Sequence, residues 1–339
     1  MIDGEYQNKT VLVTGGLGFI GSNLVIRLAA LGARVTVIDS LVEGCGGNID
    51  NLRTVQESIR IKVADIRDAG CYAAELERPD IIFNLAGEVS HSASMSAPLR
   101  DLELNALAQL AFLTTCADCF SGARIVYAST RQVYGVSRVL PVAEDHPIQP
   151  VDFNGVHKFA ASAYHLLFSN IGRLDAIVLR LTNVYGPRMA LNAKAQGFLS
   201  VYLRNAVAGK PIEIYGGGKQ LRDPVHVSDV VDAFLRAGLA AGTSRVFNVG
   251  GPEALEVRQI AKIAAAAGNC EIVWREFDRA EKAIDIGSYR ANAGRIAREL
   301  KWQPRIRFAE GFPSALRSYE HELEFLTGTT AAAIAPAAC

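Results

Sequence analysis

The run Thr14-Gly15-Gly16-Leu17-Gly18-Phe19-Ile20-Gly21 constrains the fold of this chain more than any other stretch, because of what flanks it. A β-branched run at residues 10–13 precedes it and an amphipathic run at 23–31 follows. Glycines at the first, fourth and seventh places of a strand-to-helix turn (Gly15, Gly18, Gly21) allow a tight bend, an approach to a pyrophosphate, and close packing of helix on strand. The same turn aims backbone N–H groups and a helix N-terminus at one spot, which suits an anion. An ordinary tight turn would account for the glycines alone. Here a second strand, residues 34–38, follows and ends in Asp39, spaced to accept hydrogen bonds from adenosine ribose hydroxyls. Strand, glycines, helix, strand and acid in that order predict a dinucleotide site. Asp39 favours NAD over NADP, because a 2′-phosphate would meet a carboxylate and Ser40-Leu41 offers no arginine.

At 339 residues, half of them hydrophobic, the chain can bury the core of one large or two modest domains. Its 35 basic side chains balance 35 acidic ones without a basic block, which argues against nucleic acid or an anionic membrane as the main partner. No apolar run reaches membrane-span length and the first residues show no signal-peptide pattern, so a cytoplasmic protein is expected. Six scattered cysteines suit reduced thiols. Cys116 and Cys119 form a C-x-x-C pair in an expected helix. With no second pair and no nearby histidine, they point to helix packing rather than to a metal.

Strand and helix signals alternate through the first half, as a Rossmann-type, doubly wound parallel sheet requires. A third strand at 59–63 runs into Asp65-Ile66, where the aspartate could meet an adenine amino group. A fourth at 80–84 runs into Leu85-Ala86-Gly87, small enough for close approach of a cofactor. A helix over 99–119 carries Asn105. A fifth strand, 123–128, leads to Ser129-Thr130-Arg131-Gln132-Val133-Tyr134-Gly135, and its carboxyl end is where such sheets bind ligands. A proline-rich acidic loop (139–150), a helix (154–169) and a sixth strand (175–180) follow. Shorter elements then mark a smaller α/β lobe: glycines 216–218, a strand at 246–249, and helices near 255–267 and 291–300. The expected division is a cofactor domain over 1–180, joined by part of 181–245, and a substrate lobe mainly over 181–327. An alanine-rich tail, 328–339, is expected to fray. No internal repeat is visible.

Taken together, residues 14–21, Asp39, Asp65-Ile66, Leu85 to Gly87, Ser129-Thr130 with Val133-Tyr134-Gly135, residues 180–187, and Arg222-Asp223 through Asp229-Val230 resemble the extended short-chain dehydrogenase/reductases. Within them the chain is similar to the NAD-dependent nucleotide-sugar epimerase/dehydratase group, which contains the UDP-galactose 4-epimerases. The resemblance spans about residues 9–325. It implies an NAD held by Gly15, Gly18, Phe19, Ile20, Gly21, Asp39, Asp65, Ile66, Leu85, Ala86, Gly87, Asn105 and Lys158. It also implies oxidation of a nucleotide sugar to a transient ketone and return of the hydride.

As the hydride leaves, the sugar hydroxyl must lose a proton, so a base has to sit beside it. The group uses a tyrosine, assisted by a lysine four residues on and by a serine or threonine. In this chain the threonine is Thr130, the lysine Lys158, and the tyrosine position is Asn154. An amide cannot ionise, so it cannot accept the proton. A neighbour could take over, His157 first, with Tyr134 and Glu88 behind it. Alternatively the chain performs different chemistry, as a dehydratase or dehydrogenase, or binds NAD and nucleotide sugar without turnover. Packing against the sheet would equally explain His157, and capping of a backbone group Glu88.

The group's 4,6-dehydratases carry an Asp-Glu pair after the threonine. Here those positions are Arg131-Gln132, which argues against elimination of water and for epimerisation, most simply at C4 of a UDP-sugar. For the substrate, the resemblance implies diphosphate contacts from Asn183 and Arg222, and an aromatic cover for uracil from Tyr215. Phosphate and ribose contacts fall to Lys282 and Asp285, with Gln196 and Phe198 nearby and Glu88 at the sugar. It also implies a homodimer built on the helices 99–119 and 154–169. Which sugar and which stereocentre are involved is not legible in the chain.

Overall fold

A computed structural model describes residues 2, 4–191, 197–242, 245–277, 282 and 284–330, side chains at 75 and 320–330 excepted. Its central sheet contains β1 (Thr10–Thr14), β2 (Arg34–Asp39), β3 (Arg60–Val63), β4 (Ile81–Asn84), β5 (Arg124–Thr130) and β6 (Asp175–Leu181). These lie parallel in the order β3-β2-β1-β4-β5-β6, and the strand Val246–Val249 adds a seventh beside β6. Every residue of β1 and β4 is buried, as expected of strands covered on both faces. Because β1 to β3 grow outward on one side and β4 to β6 on the other, a crevice opens beyond the carboxyl ends of β1 and β4.

Helix α1 (Phe19–Ala30) packs on α7 (Val227–Leu239), and their Leu24, Val25, Leu28, Val230 and Phe234 fill the core on one face. On the other face Phe112, Leu113 and Cys116 of α4 (Ala108–Cys119) form a second core, and α5 (Phe153–Asn170) lies beside α4. A buried polar network ties β4 to these helices. Thr14 Oγ1 donates to Asn84 Oδ1 at 2.7 Å, Asn84 Nδ2 donates to Gln109 Oε1 at 2.6 Å, and Gln109 Nε2 donates to the Ala86 carbonyl at 2.9 Å. Beside it His165 stacks on Tyr127 at 4.2 Å, and burial pushes the imidazole down to about 4, so it stays neutral.

The small lobe gathers α6 (Phe198–Val207), α8 (Val257–Gly268) and the C-terminal helix Phe308–Thr330 around the parallel strands Ile212–Tyr215 and Ile272–Arg275. Leu203, Ile214, Ile260, Phe308 and Phe312 are central to its core. No helix among the described residues is long and apolar enough to cross a membrane.

The structure departs from the sequence expectation at several boundaries. Helix α1 begins at Phe19, not at 23, because Gly18 in extended conformation supplies the N-cap. The single helix expected over 99–119 is instead α3 (Pro98–Leu102), a π-helical turn (Glu103–Leu107) and α4, and the extra residue of the turn carries Asn105. Finally, the strand Val246–Val249 belongs to the large sheet, and Ile296, Leu300 and Trp302 pack into the core of the large domain. The return to that domain therefore runs well past residue 245. The C-terminal helix continues to Thr330, into the stretch expected to fray, and 331–339 lie outside the described residues.

Candidate active site

Lining the crevice at the sheet's switch point are Gly15, Gly18, Asp39, Asp65, Ile66, Leu85, Ala86 and Gly87, which the sequence singled out, together with residues it did not, among them Val42, Cys45, Gly47, Leu104 and Ala108. Gly15 sits at φ +66°, and a Cβ there would stand 2.7 Å from the Leu85 carbonyl carbon, so β1 and β4 approach each other only because the side chain is absent. No side chain among the described residues caps the first turn of α1, which leaves its N–H groups for an anion. Phe19 packs towards the small-lobe core and Ile20 towards the large one, so what these two offer the crevice is backbone. The Asp39 carboxylate accepts from Leu17 N at 3.0 Å and Leu41 N at 2.9 Å, and burial pushes its pKa up. Arg67 grips Asp65, with Nη2 at 2.7 Å from Oδ2, and holds that carboxyl below its usual range.

Beyond Gly87 the floor becomes polar. Gly87 sits at φ +146°, and a Cβ there would lie 2.6 Å from Asn105 Oδ1 and 3.0 Å from Lys158 Nζ. Asn105 Oδ1 accepts from Glu88 N at 3.1 Å, while its Nδ2 is buried with no partner among the described residues. Lys158 is buried on α5, and desolvation brings its ammonium down to about 8 despite the charges of Asp101 and Glu88. Clearance, helix N-terminus, ribose acid and an orphaned amide beside a lysine together fit a nicotinamide dinucleotide.

Asn154 is 1% exposed. Its Nδ2 donates to the Glu88 carbonyl at 3.1 Å and to Asp101 Oδ2 at 3.0 Å, leaving Oδ1 buried without a partner among the described residues. Asp101 also holds His157, with Nδ1 at 2.7 Å from Oδ1. This carboxylate was missed in the sequence, where it reads as one more polar residue on a helix. Glu88 itself lies 3.7 Å from the Arg100 Nε. Tyr134 donates to Asn248 and accepts from Arg180, both at 2.7 Å, in a buried position that burial pushes up in pKa. It is therefore a packing element rather than a spare base. Thr130 ends β5, and its Oγ1 accepts from Gln132 N at 3.2 Å. Gln132 in turn donates to Asp152 Oδ2, at 3.1 Å.

Across the cleft, Arg222 donates to Asp285 Oδ1 at 3.3 Å, to Leu221 O at 2.8 Å, and to Gly287 O. Asn183 Oδ1 is buried without a partner among the described residues. Tyr215 donates to Glu213 Oε2 at 3.1 Å and its ring leans on Phe277. Phe198 meets Tyr202 edge-on and packs against the lobe core, Lys282 is exposed, and Gln196 lies outside the described residues.

A family model described as "NAD dependent epimerase/dehydratase family" matches residues 11–250. The chain belongs to that family. It is 33% identical over 316 residues to a UDP-glucose 4-epimerase of Mycolicibacterium smegmatis, covering 92% of this chain and 98% of the relative. Among solved structures, it is similar to a UDP-glucose 4-epimerase of Thermotoga maritima with UDP-glucose: TM-score 0.84, 28% identity, 93% of this chain and 99% of that one. It is also similar to DesIV, a dTDP-glucose 4,6-dehydratase of Streptomyces venezuelae with NAD bound: TM-score 0.83, 28% identity, 93% and 98% covered. This family of NAD-dependent enzymes acts on nucleotide sugars, by epimerisation in some members and dehydration in others.

Proposed function

We propose that the chain is an NAD-dependent epimerase of a UDP-linked sugar, acting at C4 through a transient keto-sugar. The observation that carries this reading is the meeting of Lys158 with Asn105 and Gly87 at the cofactor crevice. Bound NAD supplies the hydride acceptor and donor. Thr130 and Asn154 hold the sugar hydroxyl, and Arg222 with Asn183 anchors the diphosphate. The proton of that hydroxyl goes to Lys158, whose amine is in part unprotonated near neutral pH. His157 serves in positioning: its Nδ1 is bound to Asp101, which also fixes the Asn154 amide. Dehydration by the usual acid pair is disfavoured, because Gln132 is tied to the cap of α5 and Arg131 cannot donate as an acid near neutrality.

Incubation of the purified protein with UDP-glucose or UDP-galactose, with products resolved by chromatography, tests the reaction. Interconversion without net NADH is expected. Accumulating NADH would point to a dehydrogenase, and bound NAD with no turnover of any UDP-sugar to a binding protein. His157→Gln should cost about 10-fold or less in kcat, below the ~10²–10⁴ expected for a general base. A larger loss, with the acid-side rise of the pH profile gone, would return the proton to His157.

The assembly we propose is a homodimer. Leu99 (73% exposed), Leu107 and Leu110 on the α3–α4 run, and Phe153, Val156 and Phe159 on α5, place an apolar face on adjacent helices. The double change Leu107→Glu with Phe159→Glu is expected to halve the mass seen by light scattering. An unchanged mass would exclude this face.

A further inference from the structure

Arg131 has a chemistry that the reaction above does not use. It opens the 3-10 turn Arg131–Tyr134 immediately after Thr130, and it is 7% exposed. Its Nη1 is buried with no hydrogen-bond partner among the described residues. The guanidinium carbon lies 5.2 Å from the Tyr289 ring centroid, and the Tyr289 hydroxyl is also buried and unpartnered among the described residues. A second guanidinium, Arg222, is close enough to repel it. The carboxylates nearby are committed elsewhere. Asp285 Oδ1 takes Arg222 and Gly287 N, while Asp223 takes Thr182 Oγ1 at 2.6 Å and Ala291 N at 2.7 Å. A desolvated guanidinium with an unsatisfied N–H is costly unless a ligand completes it.

We propose that Arg131 binds an acidic group on the sugar, so that the substrate is a nucleotide-linked sugar acid rather than a neutral hexose. This rests on the epimerase reading and narrows its substrate. Arg222 already serves the diphosphate there, and Arg131 adjoins Thr130, at the end of the cleft where the sugar reacts. A neutral sugar offers only hydroxyls at that end. A carboxylate gives a guanidinium two parallel charge-assisted bonds and relieves the repulsion between the two arginines.

The test compares kcat/KM for UDP-glucuronate and UDP-galacturonate with that for UDP-glucose and UDP-galactose, in the NAD-loaded protein and in Arg131→Gln. The acids should be preferred by about 100-fold in the parent, and Arg131→Gln should remove most of that preference while changing the neutral sugars less than about 3-fold. Calorimetric affinity for UDP alone and retained NAD should not change, which shows that the variant is folded. Equal losses for acids and neutral sugars, or weaker UDP binding, would move Arg131 to the diphosphate and overturn the proposal, as would a parent that prefers neutral sugars. If no sugar is turned over, calorimetry still decides: the acids must bind at least about 10-fold tighter than the neutral sugars in the parent only. A chain that binds neither NAD nor UDP would instead overturn the epimerase reading itself.

Discussion

Lys158→Arg is expected to keep bound NAD yet lower kcat by about 10³-fold. Arginine preserves a positive charge and hydrogen-bond donors but stays protonated at every accessible pH, so it can hold ribose hydroxyls and cannot accept a proton. The parent's own profile supplies the second half of the test. Burial depresses the Lys158 ammonium to about 8, and the neutral amine is the form that takes the proton. Activity should therefore be low at pH 6, rise through about pH 8, and level off above it. Asp101 and Glu88 both oppose the depression, so Asp101→Asn should move the rise to lower pH. A flat profile from pH 6 to 10, or full activity in Lys158→Arg, would remove Lys158 from the chemistry.

Gly15→Ala is expected to yield protein that purifies without nicotinamide nucleotide and melts several degrees lower. The new methyl would stand 2.7 Å from both the carbon and the oxygen of the Leu85 carbonyl and 2.8 Å from Ala86 N, in a left-handed conformation that alanine resists. Strain and overpacking of this kind cost about 3 kcal/mol together. Relief requires β1 and β4 to move apart, which also widens the floor of the crevice. Absorbance of the purified protein at 260 nm against 280 nm reports the cofactor, and calorimetry the stability. A variant that retains stoichiometric NAD would show that the crevice tolerates this widening.

Local signals carried most of the cofactor domain. The glycine turn, Asp39, Asp65 and the small residues 85–87 each lie at a strand's carboxyl end, and a parallel sheet brings such ends to one edge without further information. What stayed hidden depends on contacts distant in sequence. Nothing in the four apolar-rich residues 246–249 says that they pair with β6 rather than with a strand of the small lobe. The partnership of Asp101 with Asn154 and His157 spans more than fifty positions and two helices, so no spacing rule exposes it. Arg131 was visible only as the absence of an acid. That it is buried and left with an open N–H follows from Tyr289 and Arg222, which arrive from far along the chain. The π-helical turn at Glu103–Leu107 was likewise illegible, because no proline or glycine marks it.

The strand Val246–Val249 and helix α7 return to the large sheet only after the chain has begun to build the small lobe. Neither half can thus be obtained by a single cut. A fragment ending at 180 would leave the β6 edge bare and strip the α7 side chains from one face, presenting an unpaired strand in an apolar setting, the template on which chains stack into insoluble aggregates. Separate production of the two halves is expected to give inclusion material, whereas the intact polypeptide, laced back and forth between them, has its cleft width set by several covalent crossings at once.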